Sequence, residues 1–171
     1  KGKWRDHRAD GGQIIDVTDN EVICEGLAMP HTPRYYAGKL WVLEAGTGWF
    51  GYVDTKKGKF NRVTWVPGFA RGLRFHGDDA LVGISKPRNK VFAGLPLEEE
   101  LKKRNQQAEA GIYIINLKTG KIRGKMNIDG FVGEIYDVGV ISGSRAPFLA
   151  GLAGTEDKRF VFIGPNSTTA K

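Results

Sequence analysis

Gly12-Gln-Ile-Ile-Asp-Val-Thr-Asp-Asn-Glu-Val22, Gly51-Tyr-Val-Asp-Thr-Lys-Lys-Gly-Lys-Phe60 and Gly111-Ile-Tyr-Ile-Ile-Asn-Leu-Lys-Thr-Gly-Lys-Ile122 are three versions of one pattern. Each opens on a short run of strand-forming residues, reaches Asp16, Asp54 or Asn116, passes through a polar turn and starts a new strand. The Asp or Asn can hydrogen-bond the turn backbone, and Gly58 and Gly120 tolerate positive φ. Asp16 and Asp54 stand 38 residues apart, and Asp54 and Asn116 stand 62 apart. The excess of 24 residues is the length of segment 87–110, which therefore reads as an insertion into a 38-residue period. A second match supports this period, since Gly38-Lys-Leu-Trp-Val-Leu43 aligns with Gly77-Asp-Asp-Ala-Leu-Val-Gly-Ile84.

A four-stranded propeller blade needs roughly 40 residues. The expected fold is all-β: a β-propeller segment of about three four-stranded blades occupying residues 1–165, with a polar tail at 166–171. One blade is expected at 34–36, 40–45, 49–54 and 60–66, and the next at 72–76, 80–85, 112–117 and 122–128. Residues 13–17 and 21–27 supply part of a preceding blade. A third blade is expected to begin at 135–141 and 148–152 and to end with 160–163. Within the insertion, Pro96 followed by Glu98, Glu99, Glu100 and then Lys102, Lys103, Arg104 predicts a short exposed helix near 97–108. About three blades fall short of the four to eight that close a propeller, and Lys1 is no natural start. The expected partners are therefore the remaining blades or a second copy of the chain.

The chain has 171 residues, with 26 Lys and Arg against 19 Asp and Glu, a formal charge of +7. The basic residues, among them Lys56, Lys57, Lys59, Lys118 and Lys121, are scattered over turns and form no stripe. Solvated turns explain them better than a nucleic-acid surface does. No apolar run is long enough to span a bilayer, so no membrane partner is expected. Cys24 is the only cysteine, lies in an apolar run and reads as a buried thiol. Nothing demands an oxidising compartment, and the expected location is the cytoplasm.

Gly46-Thr-Gly-Trp-Phe-Gly51 fits a GxGxxG pattern, but a strand follows where a dinucleotide site requires a helix, so it reads as a hairpin. His7, His31 and His76 lack paired metal-ligand spacing, and the sequence names no cofactor. The chemistry is expected where each blade begins. In a propeller the segments entering the innermost strands converge on one rim of the central channel. Three such entries are Met29-Pro-His-Thr-Pro-Arg34, Pro67-Gly-Phe-Ala-Arg-Gly72 and Val132-Gly-Glu-Ile-Tyr-Asp137. They place His31, Arg71, Glu134, Tyr136 and Asp137 as candidate ligand-binding residues, with Ser85 and Lys86 as a further anion contact. This set would suit a polar or anionic small molecule, such as a saccharide or peptide. The alternatives are a metal-assisted hydrolase or lactonase using the rim carboxylates, and a structural network of Arg and carboxylates that closes the channel.

Trp4-Arg5, Gly11-Gly12, Gly26-Leu-Ala-Met-Pro-His-Thr-Pro-Arg34, Pro67-Gly-Phe-Ala-Arg-Gly-Leu73, Val82-Gly-Ile-Ser-Lys86, Gly94-Leu-Pro-Leu97 and Glu134-Ile-Tyr-Asp-Val138 are distributed over about residues 4–150, most of the chain. Together they resemble an uncharacterised bacterial β-propeller family, catalogued as a domain of unknown function and sometimes found beside tetratricopeptide repeats. The family pattern has Ser where Thr32 stands. It also extends upstream with a blade entry containing His and Asn, so this chain is similar to the C-terminal part of a member. The resemblance implies the propeller fold and brings no catalytic assignment.

Overall fold

The computed structural model describes residues 3–87 and 94–144. A short 3₁₀ turn (Lys3–His7) precedes a hairpin of β1 (Gly12–Asp16) and β2 (Glu21–Leu27). A four-stranded antiparallel meander follows: β3 (Pro30–Tyr36), β4 (Lys39–Glu44), β5 (Trp49–Asp54) and β6 (Lys59–Trp65). A second meander repeats it with β7 (Phe69–His76), β8 (Asp79–Ser85), β9 (Gly111–Asn116) and β10 (Ile122–Asn127), and helix α1 (Pro96–Lys103) lies between β8 and β9. Among the described residues the chain is all-β apart from that helix and the 3₁₀ turn. Lys1–Val140 forms one compact unit, and the chain from Ile141 forms another, of which 141–144 are described. The expected strands at 148–152 and 160–163 and the tail at 166–171 lie outside the described residues.

The repeated Asp and Asn act as the sequence implies. Asp16 Oδ1 accepts from the Thr18 amide at 2.9 Å, Asp54 Oδ1 from Lys56 and Lys57 at 3.1 and 3.2 Å, and Asn116 Oδ1 from Thr119 at 3.0 Å. Four residues beyond each, Asn20, Gly58 and Gly120 all take positive φ, at 56°, 61° and 68°. One hairpin turn is thus written three times, with Asn in the first copy because Asn tolerates the left-handed region.

The alternation of β4 explains how the sheets stack. Trp41 and Leu43 point to one side and join Phe50, Leu73, Val82, Ile84, Tyr113 and Ile115 in the core shared by the two four-stranded sheets. Val42 points to the other side and joins Val53, Ile14, Cys24 and Leu27 against the β1–β2 hairpin. The central strands of the first sheet, β4 and β5, are therefore covered on both faces. Trp41 stacks on Phe50 with ring centres 4.9 Å apart, and its indole N–H donates to the Tyr36 carbonyl at 3.0 Å. Cys24 is buried and unpaired, as expected, and burial raises its pKa.

Two expectations need correction. The helix ends at Lys103 rather than 108, because Asn105 takes the left-handed conformation at φ 49° and turns the chain away. It is also docked on the neighbouring sheet rather than fully exposed. Leu95 and Leu97 are buried, the Leu97 amide donates to Gly46 O at 2.8 Å, and the Arg104 guanidinium lies 4.4 Å from the Trp65 ring centre. Within this stretch Glu100 pairs with Arg104, four residues on, at 3.0 Å. The second correction concerns 135–140, where no strand forms. This segment is pinned across the end of β8. Lys86 N donates to Gly133 O at 2.8 Å, and Ile135 N donates to the Ser85 hydroxyl at 2.8 Å. Ile135 and Val138 then pack against Gly83, whose missing side chain makes the space, since a Cβ there would lie 2.9 Å from both. Held by these contacts, the backbone has no neighbouring strand to pair with among the described residues.

Candidate functional site

The two meanders begin alike, and the site lies at those beginnings. β3 starts at Pro30 and β7 at Phe69, 39 residues on. In β3 the pairing with β4 breaks between His31 and Arg34, and in β7 the pairing with β8 breaks between Ala70 and Leu73. Each break is a bulge near the strand's entry, a device that re-aims side chains. Met29 and Thr32, on either side of His31, take positive φ of 48° and 52°. Bulky and β-branched residues seldom accept this conformation. The surroundings impose it: Ala45 N donates to Met29 O at 3.1 Å, Gly46 N to Ala28 O at 2.9 Å, and Ala28 N to Glu44 Oε1 at 3.2 Å.

Glu44 is itself buried and fully engaged, accepting from the Thr47 hydroxyl at 2.7 Å and meeting Arg62 at 3.4 Å. It is a carboxylate that fixes backbone, and nothing in its spacing announced that role.

These entries close around a cavity of ≈ 50 Å³ lined by Met29, His31, Ala45, Phe69, Ala70, Arg71, Ser85, Lys86 and Glu134. That is room for a few atoms of ligand beyond a single water. Five of the seven expected residues therefore meet: His31, Arg71, Ser85, Lys86 and Glu134. Tyr136 stands behind them, with its ring centre 5.1 Å from the Arg71 guanidinium. Asp137 does not line the cavity. It is two-thirds exposed, meets Arg34 at 3.8 Å and accepts from its neighbour Val138 at 2.8 Å. The two carboxylates expected at the rim thus stand apart. Among the described residues no three His, Cys, Asp or Glu side chains gather as a metal site requires.

The electrostatics are uneven. Lys86 has no carboxylate partner among the described residues, and neither has Arg71, which rests on the Tyr136 ring. Burial pushes the His31 imidazole below its ordinary pKa, and the nearby Arg71 charge pushes the same way. His31 is therefore neutral at pH 7, able to donate from one ring nitrogen and accept at the other. The Ser85 hydroxyl is occupied, donating to Ile135 O at 3.2 Å while it accepts from Ile135 N. It anchors the segment that carries Glu134. The apolar wall of Met29, Ala45, Phe69 and Ala70 was not anticipated. Met29, Phe69 and Ala70 stand in the quoted entry segments and Ala45 just beyond β4, and it is the fold that brings them to one wall.

No helix among the described residues is long and apolar enough to cross a membrane. No curated protein and no solved structure matches this chain. Residues 1–150 match the Domain of unknown function (DUF4915), and the chain belongs to that family.

Proposed function

We propose that this chain is a propeller-type binding domain that takes a small anionic molecule, carboxylate first, in the cavity between the entries of β3 and β7. The observation that carries this reading is the pair of cations, Arg71 and Lys86, lining a half-enclosed cavity without carboxylate partners of their own among the described residues. Arg71 and Lys86 present two cationic donors to the same small space, and an anion there would gain charge-assisted hydrogen bonds from both. Neutral His31 adds a hydrogen bond without adding charge. Met29, Phe69 and Ala70 give an apolar body somewhere to lie. The test is calorimetric titration of the chain with propionate and with its uncharged amide. Propionate alone should bind, and Arg71→Met should weaken it by at least about tenfold, with Arg71→Lys recovering part of the loss. Equal binding of the amide, or an unchanged Arg71→Met variant, would overturn the reading.

The propeller itself is supported by the 38-residue repeat, by two successive four-stranded meanders, and by the packing of their first strands, β3 and β7, against each other. Successive blades meet through their innermost strands in this way. The β1–β2 hairpin has two strands where the other sheets have four, and it leaves Ile15, Val17 and Val22 exposed. Further blades or a second copy would cover it. Light scattering on the chain should show a dimer or larger species, and a monodisperse monomer with one cooperative thermal transition would exclude this arrangement.

A further inference from the structure

Lys86 lines a second cavity as well as the first. This neighbour, of ≈ 470 Å³, is bounded by Lys86, Gln106, Gln107, Ala108, Glu109, Ala110, Asn127 and Asp129. It lies where the chain leaves α1 for β9 and where β10 ends. Its character differs from that of the first cavity. Gln106, Gln107, Asn127 and Asp129 offer amide donors and carbonyl or carboxylate acceptors, and no aromatic ring lines the space. Glu109 faces Tyr113 and Lys125, at 2.9 and 3.2 Å, but the side chains of the other four make no hydrogen bond to another described residue. A mixed set of open donors and acceptors is what a run of hydroxyl groups satisfies, because each hydroxyl both gives and takes a hydrogen bond. A nucleotide would call for ring stacking and further cations.

We infer that the two cavities form one site for an acidic sugar, with its carboxylate held between Arg71 and Lys86 and its hydroxyls directed along Gln107, Asn127 and Asp129. Lys86 is the joint, since it is the residue the two linings share. This inference rests on the proposed anion site and narrows it to uronic acids. The polar cavity decides between a sugar acid and a plain carboxylic acid, while the cationic cavity decides between a sugar acid and a neutral sugar.

The test titrates the chain with D-glucuronate, D-glucose and propionate, by calorimetry or by saturation-transfer NMR. Glucuronate should bind at least about fivefold more tightly than propionate, and glucose should not bind measurably. The double variant Gln107→Ala, Asn127→Ala should lose about five- to tenfold of the glucuronate affinity and leave propionate unchanged. These are exposed loop and strand-end side chains, so folding should survive, and an unaltered thermal midpoint would confirm it. If glucuronate bound no better than propionate, or the double variant bound both as the parent does, the sugar assignment would fall and the anion site would stand. If neither acid bound, both would fall.

Discussion

The sheets β3–β6 and β7–β10 are two copies of one repeat, and their surroundings differ on every side. In the first, β4 and β5 are joined by a four-residue loop at 45–48, and both faces of these two strands are covered. In the second, the same junction carries the insertion, and the outermost strand β10 is exposed at five of its six positions. The first sheet brings His31 to the cavity, with Met29 and Ala45 at its strand ends. The second donates the unrepeated parts, which are Ser85 and Lys86 at the end of β8, the loop after α1 and the pinned segment at 133–138. Interior positions are constrained by the repeat, whereas the cavity combines the repeated entries of both sheets with Ser85, Lys86 and Glu134, which stand where the repeat is interrupted.

That contrast can be broken most sharply in the cores. Phe50 is completely buried and stacked on Trp41, so Phe50→Ala should cost about 3–5 kcal/mol. Met126, in β10, is 61% exposed, and Met126→Ala should cost less than about 0.5 kcal/mol. Denaturant unfolding of both variants measures the difference, and equal losses would mean that β10 is covered by something the chain itself does not supply. The glycines of the second sheet give a smaller contrast. A Cβ on Gly83 would lie 2.4 Å from Arg71 O and 2.9 Å from Ile135 and Val138. Gly83→Ala should therefore cost about 1–3 kcal/mol and loosen the segment carrying Glu134. Gly124 has no atom within 4 Å of its would-be Cβ, so Gly124→Ala should be neutral or stabilising by up to about 1 kcal/mol. The comparison is again read from unfolding midpoints.

The smallest effect is the pH response. His31 has a lowered pKa in the folded chain, through burial first and Arg71 second. The unfolded chain therefore takes up a proton at its ordinary value of about 6.5 before the folded chain does. This contribution to stability is present above that pH and is lost as pH falls toward the folded value. Thermal midpoints measured from pH 7.5 down to 5.5 should decline, and His31→Asn should flatten the slope. A bound anion would favour the protonated imidazole, so propionate affinity should increase over the same fall in pH.

The strands were legible because their signals are local. Asp16, Asp54 and Asn116 mark strand ends, and runs of Val, Ile, Trp, Tyr and Phe mark the strands themselves. The entries were legible as places because the repeat put His31 and Arg71 at equivalent ends of two strands. What stayed hidden depends on contacts between distant segments. Segment 135–140 has the composition of a strand, yet Ser85 and Lys86 pin it across β8. Asp137 stands next to the site in sequence but is drawn to Arg34. The helix looked like a solvated decoration because its charges dominate its composition, while Leu95, Leu97 and Arg104 bind it to the first sheet.

The central claim is that the cavity between the entries of β3 and β7 receives an anion. A crystal of this chain soaked in propionate tests it most directly. The account predicts density for a carboxylate within hydrogen-bonding distance of Arg71 and Lys86, with the alkyl end against Phe69 and Met29. A cavity left without propionate, with Arg71 turned to pair with Glu134 across it, would contradict the account.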